Sequence, residues 1–230
     1  MEPYVTTETL VERTRAWIER VGPVNRSHLR IDASASALLV IDMQRYFLEP
    51  ESPSYTCGGP AVLPTVKRLI DAFRAARRPV IFTRHVHRAD GSDAGIMGWW
   101  WRGMCVEGTP ESEVHPTLAP LPAEPVILKR RYSAFANTDL ETVLRGLGVE
   151  DLVVCGVMTN MCCETTARDA YQRDHRVFFP ADANGSVNEE MHLASLLNLA
   201  FGFACVTTAD ELITQVARHD HPPSTRDGGG

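Results

Sequence analysis

The stretch DLVVCGVMTNMCCETTARDAYQRD, Asp151 to Asp174, reads as an apolar strand running straight into a helix. DLVVCGV (Asp151 to Val157) is the strand. Beyond it, Cys163, Ala167, Ala170 and Tyr171 recur at i, i+4, i+7 and i+8, an apolar stripe that should face a sheet. The same strand and helix alternation extends to either side. Further strands are read at Ser36 to Asp42, Val80 to Arg84, Val126 to Lys129, Arg176 to Ala181 and Ala204 to Thr208. The helices between them include PTVKRLIDAFRAARR, TDLETVLRGLG, NEEMHLASLLNLAFG and ADELITQVARH, several opening on Pro, Thr or Asn as helix starts do. An amphipathic segment, Glu8 to Val21, precedes them. Such alternation predicts an α/β fold with one six-stranded parallel sheet covered by helices.

A chain of 230 residues fits one domain, residues 1–218, followed by a tail from His219 that reads as disordered. Residues His85 to Pro125 form an insertion of about forty residues, long enough to suggest a lid or pocket wall. A net charge of −6, with no basic run interleaved with aromatics, argues against a nucleic-acid partner. No apolar run approaches the roughly 18 residues that span a bilayer, and MEPYVTTETLVERTR lacks a signal peptide's apolar stretch. A cytoplasmic protein acting on a small molecule is therefore expected. Six scattered cysteines without a CxxC pair read as free thiols. Of 23 basic residues only Lys67 and Lys129 are lysines, which raises the question of what Lys129 does at the end of a strand.

In an open parallel sheet the ligand crevice lies beyond the carboxyl ends of the strands. Asp42 ends the first strand there, Lys129 the third, and the fourth leads through GVMTN to Cys162. Each has an ordinary alternative: a turn residue, a solvated charge, a small buried hydrophobe. Together they make a nucleophile with its supports. A helix N-terminus and an ammonium favour a thiolate and should lower the Cys162 pKa from about 8.5 toward neutrality. The carboxylate can take the thiol proton and return it to a departing amine, while backbone N–H groups of the turn hold an oxyanion.

LLVIDMQRYF, ILKRRYSAF and CGVMTNMCCETTARDAYQRD resemble the isochorismatase-like cysteine hydrolases, a superfamily that includes nicotinamidases, N-carbamoylsarcosine amidohydrolase and ureidoacrylate hydrolase. The resemblance runs from about Ala37 to Val216. It implies a Rossmann-like three-layer α/β/α fold and an Asp, Lys, Cys triad falling on Asp42, Lys129 and Cys162. It also implies a cis peptide between Val157 and Met158, and an oxyanion hole formed by the backbone N–H groups of Met158 and Cys162. Homodimers or homotetramers are the expected assemblies. True isochorismatases of the superfamily hydrolyse a vinyl ether and carry glycine at the nucleophile position, where this chain has Cys162. An amidohydrolase working through a thioester is therefore expected, although RRYSAF and the N-terminal extension stand nearer to the isochorismatase branch. Isochorismate hydrolysis with Asp42 as general acid is one alternative, and a non-catalytic binding protein on the same fold is another.

Nicotinamidases of the superfamily hold a metal through an Asp-x-His pair after the second strand. Here that pair is His85 and His87, two imidazoles on one side of an extended segment. With the family's Asp replaced by His, the expectation is no metal and no cofactor, with both rings lining the pocket mouth. Trp99, Trp100 and Trp101 suggest either an aromatic wall or a packing surface. Phe47 and Tyr132 follow triad strands as pocket neighbours, and Gln44 is within reach of the Asp42 carboxylate or the substrate. Arg131 is the arginine that alternation aims the same way as Lys129, available for a substrate carboxylate or lying as surface charge.

Overall fold

A computed structural model describes residues 3–27, 29–101 and 103–218. Its centre is a parallel sheet of β1 (Ser36–Ile41), β2 (Val80–His85), β3 (Val126–Lys129), β4 (Asp151–Val157), β5 (Arg176–Pro180), β6 (Asn184–Gly185) and β7 (Cys205–Thr207). The order is β3-β2-β1-β4-β5-β7, and the two-residue β6 pairs with β4. The sheet thus has one strand more than the sequence predicts, because β6 is too short to leave a periodic signal. Every residue of β1 and β4 is buried, as expected for central strands covered on both faces.

The helices are α1 (Leu10–Val21), α2 (Arg45–Leu48), α3 (Gly59–Ala75), α4 (Ile96–Trp100), α5 (Leu140–Gly146), α6 (Glu164–Tyr171), α7 (Glu189–Gly202) and α8 (Ala209–Arg218). Contacts pair α3 with α8, and α6 with α7, which in turn packs on α1. The motif helix buries Cys163, Ala167 and Ala170 as the stripe predicts, but Tyr171 is 48% exposed because α6 ends there. Pro64 does not open its helix as expected: α3 starts at Gly59, with Pro64 inside it and Pro60 in its first turn. The Asn188 side chain caps α7 by accepting from the Met191 N–H, as its place before two glutamates suggests. The expected disordered tail, 219–230, lies outside the described residues. Among the described residues no helix is long and apolar enough to cross a membrane.

The order of strands decides where the site lies. From β1 the chain winds outward to β2 and β3, then returns to β4 and winds the other way, so β1 and β4 meet at a switch point whose carboxyl ends open a crevice. Their register carries Ile41 against Gly156. Gly156 has φ +126, and a Cβ there would press into the Ile41 carbonyl oxygen. Only glycine fits this approach. Gly156→Ala should therefore destabilise the protein by about 3 kcal/mol or more. A fall in the urea midpoint measures it, and an unchanged midpoint would contradict the steric conflict.

Candidate active site

Asp42 leaves β1 in the left-handed region, with φ 49. This turns its fully buried side chain under the crevice. The backbone N–H of Asp42 donates to Thr83 Oγ1 at 3.0 Å, and Thr83 Oγ1 donates to Asp42 Oδ1 at 2.5 Å. The second oxygen, Oδ2, lies 2.7 Å from Lys129 Nζ as an ion pair and receives no directed hydrogen bond. It is therefore open to a further proton.

Lys129, at the end of the edge strand β3, is completely buried. Its ammonium meets Asp42 Oδ2 at 2.7 Å, the Arg131 carbonyl at 3.0 Å, Cys162 Sγ at 3.2 Å and His85 Nδ1 at 3.3 Å. Burial alone would favour the neutral amine. The Asp42 charge and the Cys162 sulfur outweigh it and hold the Lys129 pKa above its ordinary value.

After β4 the Val157–Met158 peptide is cis, and Thr159–Cys163 winds as a π-helical turn into α6. Cys162 sits in that turn, 6% exposed. Contrary to the expected lowering, burial pushes its thiol pKa up to about 12, and the Asp42 carboxylate adds to the rise while Lys129 opposes it. The resting sulfur is protonated. A nucleophile here must be made by passing the proton to a base as the reaction proceeds.

His85 and His87 line the crevice and are joined Nε2 to Nε2 at 3.1 Å, while His87 Nδ1 lies 3.3 Å from Asp93 Oδ1. Burial, then the charge of Lys129, holds His85 well below its ordinary pKa, and burial likewise lowers His87. Both rings are neutral. An ammonium only donates and a carboxylate only accepts, so one pair of tautomers satisfies every contact in this chain. Lys129 donates to His85 Nδ1, His85 Nε2–H to His87 Nε2, and His87 Nδ1–H to Asp93.

A metal does not fit this arrangement. Among the described residues, the one cluster dense enough to ligate is Asp42, His85 and Cys162. Lys129 Nζ already stands within 3.3 Å of an atom of each, and a divalent cation there would be repelled by the ammonium. The two histidines meanwhile use their facing nitrogens on each other.

About 510 Å³ of space, part of it open to solvent, lies in the crevice. Phe47, His85, His87, Trp101, Tyr132, Met158 and Cys162 line it, and so do Tyr46, Met97, Met104, Cys105 and Met161, which are not among the expected pocket residues. The insertion is ordered against the body by buried Val86, Met97, Cys105, Val114 and Leu118, so it forms a wall, with Trp101 Nε1–H donating to the Tyr132 hydroxyl at 2.9 Å. Trp99 and Trp100 do not join it. They are 75% and 63% exposed, their rings paired with each other at 5.6 Å between centroids rather than turned into the crevice.

Two further expectations are corrected. Gln44 bonds neither the Asp42 carboxylate nor the crevice: its amide donates to the carbonyls of His85 and Ser112, and its Oε1 accepts from His85 N–H at 2.7 Å. It ties β2 to the insertion. Arg131 turns away, its guanidinium donating to the carbonyls of Asp93 and Arg130, because the strand ends at Lys129 and alternation stops with it. Its backbone carbonyl is what reaches the site. Thr83 was not anticipated, although a threonine inside the apolar run VIFTR is a buried hydroxyl in need of a partner.

From the thiol pKa, alkylation of Cys162 by iodoacetamide should keep accelerating as pH rises through 10, where an ordinary cysteine, half ionised at about 8.5, has levelled off. Peptide mass spectrometry reads the rate; a plateau below pH 9 would contradict a burial-raised thiol.

The chain matches the Isochorismatase domain over residues 36–211. Nicotinamidase 3 of Arabidopsis thaliana is 42% identical over 184 residues, 79% of this chain and 88% of the plant protein. Phenazine biosynthesis protein PhzD of Pseudomonas fluorescens is 32% identical over 192 residues, 83% of this chain and 91% of that protein. A crystal structure of a cysteine hydrolase from Pseudomonas syringae pv. phaseolicola has a TM-score of 0.80 at 35% identity, covering 83% of this chain and 96% of that one.

Proposed function

Because the chain belongs to the isochorismatase family of hydrolases, we propose that it cleaves the C–N bond of a small, uncharged amide through a thioester on Cys162. The observation that carries this reading is the buried contact set in which one ammonium lies 2.7 Å from a carboxylate and 3.2 Å from a sulfur. As the sulfur attacks the amide carbon, Asp42 Oδ2 takes the thiol proton and Lys129 stabilises the sulfur's developing charge. The oxyanion is held by the backbone N–H groups of Met158 and Cys162. Asp42 then returns its proton to the departing nitrogen, and ammonia or an amine leaves. Water attacks the thioester, giving one proton to Asp42. That proton passes to the sulfur as the acid is released.

The lining favours an amide over isochorismate. Among the described residues bordering the crevice none is Lys or Arg, and aromatic rings and methionines make up most of its wall. A substrate carrying two carboxylates would lose its hydration there without gaining a cation beyond Lys129, which Asp42 already engages. A flat or apolar uncharged acyl group suits the site. Likeness to a nicotinamidase agrees with this chemistry.

An ammonia-release screen over small uncharged amides, ureides and lactams tests the reading. Cys162→Ala should lower turnover by roughly 10³-fold or more, and a thioester adduct should be trapped on Cys162. Turnover untouched by Cys162→Ala, or pyruvate release from isochorismate that survives it, would overturn the reading. With the amide found, Trp101→Ala should raise KM several-fold while Trp99→Ala leaves it unchanged, since the first ring borders the crevice and the second is in solvent.

A further inference from the structure

The turn that carries Cys162 is anchored from behind, on the side away from the crevice, through two of its own side chains. Thr159 Oγ1 lies 2.9 Å from His192 Nδ1, both side chains completely buried. Asn160 Oδ1 accepts from Ser186 Oγ at 2.7 Å. Each of these partners is in turn held by the segment that precedes the sheet. Trp17 of α1 packs on the His192 ring, with centroids 4.3 Å apart, and its Nε1–H donates to Glu189 at 2.8 Å in the first turn of the helix bearing His192. The Tyr4 hydroxyl accepts from the Ser186 backbone N–H at 3.0 Å. Two separate chains of contact thus run from the N-terminal segment to consecutive residues of the nucleophile's turn.

His192 has the character of a fixed brace rather than an acid or base. Burial lowers its pKa to about 3, so the ring is neutral, and its Nε2 has no hydrogen-bond partner among the described residues. A buried imidazole with one nitrogen unpaired is costly to keep. An apolar side chain of similar size would fill the space without that cost. What the imidazole supplies instead is its bond to Thr159.

We propose that His192 and Ser186, held by Trp17 and Tyr4 of the N-terminal segment, are positioning residues that set the Thr159–Cys163 turn for catalysis. The inference rests on the reading of Cys162 as nucleophile. Met158 and Cys162 are the two oxyanion donors of that reading, and they flank Thr159 and Asn160. A turn released by a few tenths of an ångström would still bind substrate but would misplace donors that act only as charge develops. The effect therefore falls on kcat rather than KM.

His192→Leu keeps the bulk and removes the bond; His192→Asn restores a polar atom near the Nδ1 position. Should the leucine variant fail to fold, Thr159→Val deletes the same bond from the other side and Tyr4→Phe weakens the second chain. The first two deletions should each lower kcat by about tenfold or more with KM nearly unchanged. They should also change the rate of Cys162 alkylation at one fixed pH, a readout that needs no substrate. The asparagine variant should recover most of both losses. Folded His192→Leu and Thr159→Val proteins with wild-type kcat and alkylation rate would overturn the proposal, as would an asparagine variant no better than leucine. If Cys162→Ala is inactive while these variants are unaffected, the positioning role alone fails; if Cys162→Ala is fully active, the nucleophile reading fails and takes this inference with it.

Discussion

A lysine ammonium sealed from water must find its partners inside the protein, and the rest of the site is arranged around that requirement. Lys129 reaches inward from an edge strand and is met by a carboxylate from β1, a sulfur from the turn after β4, an imidazole from β2 and its own chain's next-but-one carbonyl. Removing any charged partner would leave a buried ion uncompensated, which costs far more than the intact pair contributes. The same requirement settles the neighbours. Thr83 turns the carboxylate, and the neutral His85 can accept from the ammonium only because burial and the lysine's own charge keep it unprotonated.

The sheet supplies these groups but not their surroundings. The crevice wall comes from the insertion after β2, locked by Gln44, by the bridge between Gln44 and Val114, and by the Arg130 and Asp93 ion pair. Support behind the turn that carries Cys162 comes from the two ends of the sequence, through α1 and α7. A central scaffold common to the family is thus finished on two sides by segments outside the strands, one bordering the crevice and one steadying the Cys162 turn.

Much of this was legible in the sequence. Parallel strands bring their carboxyl ends together whatever their spacing along the chain, so Asp42, Lys129 and the residues after Val157 could be brought to one edge without coordinates. Inference failed where the regular element ended. Alternation aims Arg131 beside Lys129 although the strand ends there, nearness along the chain does not tell which way Gln44 turns, and three successive tryptophans carry no sign that Trp101 alone borders the crevice. The sign of the Cys162 shift was out of reach for another reason. A helix terminus and a lysine can be read from spacing, but burial depends on what packs over the sulfur, and here burial wins. His192 offered no signal at all, since nothing along the chain relates it to Thr159.

A sulfur that burial keeps protonated has a consequence for survival among oxidants. Peroxide attacks thiolates, and the ladder from sulfenic to sulfonic acid starts only from the anion. With its proton kept in place by burial, Cys162 combines latent reactivity with chemical endurance. The enzyme can stand idle between turnovers without being consumed by the commoner electrophiles around it.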